Sequence, residues 1–176
     1  MRLLVAAAAL AAALAVLVPG PAQGRGKVKP DDAILVAIDK ARSETWRWQR
    51  LMGTQQTPTS NSARRTRDRE YRRWVLALWR ARALRARRAA NNPPRLRAWL
   101  CIHRHEGAWN DGGAPYWGGL QMDFDFQRTY GGWLLRRKGT ANKWTPLEQI
   151  WVAERAYRSG RGFYPWPNTA RRCGLI

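Results

Sequence analysis

The sequence is short of acid, of cysteine and of histidine. Its 12 Asp and Glu stand against 32 Lys and Arg, a formal net charge of +20, and such a field draws a protein toward polyanions. Two cysteines, Cys101 and Cys173, allow one disulfide at most. The two histidines, His103 and His105, do not build the HExxH pattern of zinc proteases, because Glu106 is followed by Gly107, Ala108 and Trp109.

What is present begins with an export signature. Met1 to Val18 carries one Arg and then an unbroken apolar run of Ala, Leu and Val, closed by Pro19, Gly20, Pro21 and Ala22. That is the composition of a secretory signal, and it is brief for a membrane span. Residues 1–24 are therefore expected to be a signal peptide, with a cut after Ala22 or Gly24, and the mature chain to be secreted. An oxidising destination favours pairing of Cys101 with Cys173 over free thiols or a catalytic role. Outside the cell the available polyanions are wall polymers, acidic lipids and peptidoglycan carboxylates, so no nucleic-acid partner is expected.

The charge is uneven. Residues 25–94 hold 18 basic and 6 acidic side chains, a balance of +12, and residues 95–176 hold 13 and 6, a balance of +7. After a short spacer, Asp31 and Asp32 offer helix caps, and Ile34, Ile38, Ala41, Thr45, Trp48 and Met52 recur at helical spacing up to Gly53. A polar loop over 54–62 leads to a second helix, 63–90, whose stripe is Tyr71, Trp74, Val75, Leu78 and Ala81. Asn91, Asn92, Pro93 and Pro94 end it. The pattern predicts an antiparallel helical hairpin, basic on its outer faces, over 25–94. Trp46, Trp48, Trp74 and Trp79 read as packing residues, because aromatic stripes at helical spacing face a core.

From 95 the texture changes. Gly, Trp and Tyr crowd 107–132, and a last amphipathic helix over 146–158 is announced by Thr145 and Glu148 as a capping box with Pro146 at the first helical position. The tail, 160–176, is too rich in Gly, Pro and Arg for regular structure. The fold class expected is mainly α with a short β-hairpin or irregular region, an α+β arrangement.

The chemistry concentrates in 95–122. An apolar helix over 96–105 delivers Glu106 at its end, and Trp109, Tyr116 and Trp117 offer apolar surroundings for a carboxyl that donates a proton. Cleavage of a glycosidic bond needs such a donor. These residues also carry a resemblance. HEGAWND (105–111), YWGGLQM (116–122), YGG (130–132), TPLEQIWVAERAY (145–157) and a terminal WP (166–167) are similar, in order and spacing, to the resuscitation-promoting-factor and transglycosylase-like domain of actinobacteria. The likeness covers nearly all of 95–173. It implies a small lysozyme-like domain over 95–176, cell-wall association, and attack on the β-1,4 bond between N-acetylmuramic acid and N-acetylglucosamine in peptidoglycan glycan strands.

Carried over by position, the resemblance places Glu106 on the catalytic glutamate. Trp109, Asn110, Tyr116, Trp117, Gly119 and Gln121 fall on substrate-binding positions. Glu154 matches as well, yet beside Arg155 in mid-helix it reads as structural. The family carries a cysteine directly before its glutamate, where this chain has His105. Cys101 lies one helical turn earlier on the same face, and Cys173 follows the WP at a distance, so the bridge is expected to be shifted by a turn.

The second catalytic group is open. Asp123 lies seventeen residues after Glu106, a separation like that in animal-type lysozymes, but it sits where a helix begins and reads as an N-cap. Asp111, beside Gly112 and Gly113, reads as a turn residue. Without a second acid, the substrate's own N-acetyl group or C6 hydroxyl completes the reaction and leaves an anhydromuramyl end. A metal site from Cys101, His103, His105 and Cys173 is one alternative, although its spacing turns His103 off the shared face; no metal or cofactor is expected. A non-catalytic wall or polyanion binder is the other. The expected protein is a monomer whose partners are peptidoglycan strands and, through its basic helices, anionic wall polymers.

Overall fold

The computed structural model describes residues 30–176. The expected signal segment over 1–24, the start of the spacer after it and the side chains of Asp31 and Asp32 lie outside the described residues. The described residues are mainly helical, with one two-stranded antiparallel sheet. Among the described residues no helix is long and apolar enough to cross a membrane.

Helix α1, Pro30–Met52, buries Ile38, Ala41, Thr45, Leu51 and Met52, close to the face its spacing predicts. Thr45 satisfies its buried hydroxyl by donating to the Ala41 carbonyl at 2.9 Å. Gly53, at φ +66°, ends the helix in a conformation that glycine adopts without strain.

The expected single helix from 63 is instead two. A short α2, Ser62–Arg65, stops before Asp68, which caps α3, Arg69–Ala90, by accepting from the N–H groups of Glu70 and Tyr71. Arg72 folds back across the break and donates to the carbonyls of Ala63 and Thr66. The buried stripe of α3 is Val75, Trp79, Ala83, Ala86 and Ala90, rotated from the predicted one. Trp74 is 59% exposed and Ala81 is exposed. Trp46 and Trp79 do pack, edge to face at 6.1 Å; Trp74 lies outside that core, beside the Tyr71 ring.

The antiparallel hairpin is also corrected. Ile38 and Ala41, early in α1, share a cluster with Val75 and Trp79, early in α3. Leu51 and Met52, late in α1, share another with Ala86 and Ala90, late in α3. The two helices therefore run side by side in the same direction. The connection over 53–68 retraces α1 instead of turning tightly. Its polar residues bond along the flank of that helix: Trp46 Nε1 donates to the Thr57 carbonyl at 2.8 Å, Gln49 Nε2 to Thr57 Oγ1 at 2.7 Å and Arg42 to Thr59 Oγ1 at 3.1 Å, while Arg64 pairs with Asp39.

Helix α4, Leu96–Glu106, follows the Pro93–Pro94 turn. Strands β1, Tyr116–Trp117, and β2, Met122–Asp123, pair with Tyr116 opposite Asp123. Then come α5, Phe124–Lys138, a 3-10 turn over Ala141–Lys143, α6, Pro146–Ala156, a widened turn over Tyr157–Arg161, and α7, Pro167–Arg172. The capping box of Thr145 and Glu148 forms as its spacing predicts. Helix α6 is the axis of this part: Gln149, Ile150, Trp151, Val152, Ala153, Glu154 and Ala156 are all buried. Glu154, 0% exposed, is satisfied on both oxygens, by the Arg95 N–H and Trp99 Nε1 on one and the Arg95 guanidinium at 2.7 Å on the other. A buried carboxylate persists only when so completely partnered, and this network ties α6 to the start of α4.

The helix pair is clamped to this unit. Trp151 Nε1 donates to the Ala90 carbonyl at 2.7 Å. Arg155 donates to the Arg50 and Leu51 carbonyls, and Arg158 to that of Met52 at 2.6 Å, so cations meet the C-terminal carbonyls of α1. Burial first, and the neighbouring Arg158 second, hold the Arg155 guanidinium below its ordinary pKa.

The tail differs from expectation in containing α7. Pro167 occupies its first turn. Gly174, at φ +65°, ends it: Gly174 N–H donates to the Arg171 carbonyl and Leu175 N–H to that of Ala170, the paired closure that stops helices at glycine.

Candidate active site

Glu106 is the last residue of α4 and is half-buried. Its Oε1 accepts a hydrogen bond from Thr169 Oγ1 at 2.6 Å, and among the described residues its Oε2 has no partner. Thr169 is buried on α7. The same helix ends at Cys173, which is bonded to Cys101 of α4 with the Cα atoms 6.1 Å apart. One short helix therefore supplies both the covalent tie and the hydrogen bond that position the end of α4. Nothing in the sequence near Glu106 signals Thr169, which lies 63 residues further on.

Gly107 follows with extended backbone, and a Cβ there would lie 3.0 Å from Gln121 Nε2 and 3.2 Å from Asp111 Oδ2. Gln121 and Asp111 thus stand directly against the residue after Glu106. Among the described residues Gln121 is the non-glycine residue with positive φ, +46°, a backbone state that is uncommon outside glycine. Its side chain holds it there, donating to Asp111 Oδ2 and to the Gly118 carbonyl, each at 2.9 Å. Asp111 in turn accepts from the Gly113 N–H at 3.0 Å, as a turn residue.

The glycine pair before Gln121 is explained by packing. Gly118 is at φ +77°, and a Cβ on it would lie 2.5 Å from Gln149 Oε1; one on Gly119 would lie 2.6 Å from both His103 Nδ1 and Trp109 Cε3. Gly119 is buried, and its N–H donates to Gln149 Oε1 at 2.8 Å. It belongs to the support of the loop, not to its outer surface. Buried Gln149, which the sequence did not single out, also donates to the carbonyls of Trp109 and Ala141. It fixes both loops of the region to α6. His103 stacks on Trp109 at 3.9 Å and contacts the Gly119 carbonyl at 3.1 Å.

Tyr116, exposed, and Gln121, Asp123, Phe126, Arg161 and Trp166 line a pocket of about 90 Å³, small beside typical ligand clefts of roughly 300 Å³ or more. Gln121 joins this pocket to the Glu106 end. Trp117 is half-buried against the core, and Asn110 is exposed. Asp123 caps α5, accepting from the Phe126 N–H at 2.7 Å. Cys101, His105 and Cys173 offer ligand atoms within 4.8 Å of one another, but both sulfurs are spent in the disulfide and thiolates are what bind metal.

If Glu106 is the proton donor that the sequence leads one to expect, Thr169→Val lowers kcat about tenfold, the scale of one hydrogen bond, while KM stays near its parent value and Thr169→Ser restores turnover. Steady-state kinetics on soluble wall oligosaccharides read this split. Equal turnover in Thr169→Val would remove the threonine from any positioning role.

No protein-family model, curated protein or solved structure matches this chain.

Proposed function

We propose that the protein is a secreted, cell-wall-associated enzyme of lysozyme-like type that cleaves peptidoglycan glycan strands, with Glu106 as general acid. The observation that carries this reading is the tethered carboxyl. Glu106 is gripped on one oxygen by Thr169, has no partner on its other oxygen among the described residues, and lies beside the Gln121 and Asp111 loop. In the proposed reaction, that oxygen gives its proton to the glycosidic oxygen between N-acetylmuramic acid and N-acetylglucosamine; the N-acetylglucosamine leaves as an alcohol, and positive charge develops on the N-acetylmuramic acid ring at its anomeric carbon.

The lytic transglycosylase route is favoured over hydrolysis. Asp123 is committed to the α5 N-terminus, and Asp111 holds Gly113 with one oxygen and Gln121 with the other. With both aspartates engaged, the substrate's own C6 hydroxyl closes on the anomeric carbon as the bond to the leaving oxygen is lost, hands its proton to the Glu106 carboxylate, and gives an anhydromuramyl end. Mass spectrometry of digested peptidoglycan tests this: anhydro ends are expected, and predominantly reducing muramic ends would assign a hydrolase with one aspartate as base.

The basic helices support the second half of the reading. Arg73, Arg80 and Arg87 recur every seven residues along exposed positions of α3, a cationic row suited to anionic wall polymers. The enzyme is proposed to act as a monomer without a cofactor.

A further inference from the structure

A groove of about 330 Å³ opens between α1, the retracing segment and α3, remote in sequence from Glu106; Arg42, Asn61, Ser62, Tyr71, Trp74 and Trp79 are among its walls. Its volume falls within the range of small-ligand sites. Trp74 is the unusual feature. Val75 beside it is buried and Trp79 is buried one turn on, yet the Trp74 indole is 59% exposed. The Tyr71 ring lies 5.7 Å from it, tilted by 32°. Tyr71 is held in place by donating its hydroxyl to Ser62 Oγ at 2.9 Å, and Ser62 is 2.8 Å from Ser60 Oγ. The result is a fixed aromatic ledge above a rim of hydroxyl and amide groups.

The charges of the groove decide what it suits. Asp39 engages Arg42 at 2.6 Å and also Arg64, and the Arg82 guanidinium lies over the Trp79 ring at 4.9 Å. The cations nearest the groove are therefore already occupied, and a carboxylate shares its wall, which disfavours an anion. A wholly apolar ligand would strip water from the Ser, Thr and Asn rim without replacing its hydrogen bonds. A ligand with one apolar face and a polar, uncharged edge meets both surfaces, and that is the chemistry of a pyranose ring.

We propose that this groove is a second glycan-binding site, with Trp74 as the stacking platform for an uncharged sugar of an oligosaccharide strand. It rests on the wall-glycan reading only for the identity of the polymer, not for the existence of the site. The helix pair then anchors the enzyme on its polymer by two separate means: salt-sensitive attraction along the arginine row and salt-insensitive stacking in the groove.

The test uses the full chain carrying Glu106→Gln, with the pentamer of β-1,4-linked N-acetylglucosamine as probe. In a nitrogen–proton correlation spectrum the Trp74 indole N–H, identified by its loss in Trp74→Ala, is expected to shift saturably with the probe and equally at low and high salt. Retention of Trp74→Ala on peptidoglycan stripped of anionic polymers is expected to fall about tenfold, the loss typical of an aromatic anchor. Because that side chain is largely exposed, the variant keeps its fold.

An indole signal that does not move, a shift that polyphosphate reproduces and salt abolishes, or unchanged retention of Trp74→Ala would each overturn the proposal. So would self-association that Trp74→Ala abolishes, which would assign the ledge to a second copy of the chain. The readout does not depend on turnover. Failure of Glu106 as the acid would leave the indole titration standing, and failure of the titration would leave the Glu106 assignment untouched.

Discussion

Glu106→Gln is expected to reduce the proposed peptidoglycan cleavage by at least about a hundredfold, the lower end of what a general acid contributes, with no loss of the folded state. The amide is nearly isosteric with the carboxyl, and its carbonyl oxygen can still accept the Thr169 hydroxyl that now bonds Oε1 at 2.6 Å. What disappears is the transferable proton. Release of soluble fragments from purified walls, measured beside an unchanged melting profile, checks both halves. Undiminished release from the folded variant would reject Glu106 as the acid and leave a wall-binding protein as the better reading.

Reduction of Cys101–Cys173 is the second large effect expected. The bridge spans 72 residues, and in the chain-entropy model a loop of that length contributes about 4 kcal/mol by restricting the unfolded chain. For a protein of this size the loss corresponds to a melting temperature lower by about 10 °C. Activity should fall as well, at temperatures where the reduced protein is still folded. Helix α7 keeps its start, because Trp166 is buried and donates to the Leu120 carbonyl at 2.6 Å. It loses the covalent tie at its end, four residues beyond Thr169. Thermal melts and wall-lysis assays with and without reductant, repeated on Cys101→Ser, measure the two effects. A reduced protein with the same midpoint and the same activity would show that α7 holds Thr169 against Glu106 without help from the bridge.

Some of this protein was legible from residue types and spacing alone. Two cysteines, in a chain whose opening residues read as an export signal, were expected to pair, and they are bonded. Thr145, Pro146 and Glu148 announced the start of α6, and Asp123 the start of α5, because capping is a local event decided within four residues. Asp111 read as a turn residue for the same reason. A carboxyl at the end of an apolar helix followed from the pattern over 96–106.

Other features were decided by tertiary structure. Residues 54–62 show by composition that they are not helical, but not that they retrace α1. That path depends on Trp46, Gln49 and Arg42 meeting Thr57 and Thr59 across the segment, and it makes α3 parallel to α1. Trp74 and Trp79 have the same preference for burial; which one faces α1 was set by the phase of α3, and that phase depends on alanines 86 and 90 packing against a neighbour. Gly119 fits a substrate-contact position by motif, yet its lack of a Cβ serves His103 and Trp109. Thr169 is the clearest case. A threonine in a Gly, Pro and Arg-rich tail carries no local signal, and only the closure of α7 onto α4 brings it within hydrogen-bonding reach of Glu106. Sequence by itself determined what depends on neighbours along the chain: caps, turns, helix content and charge. Folding alone determined what depends on neighbours across space: the direction of α3, the exposed indole, and the partner that positions the carboxyl.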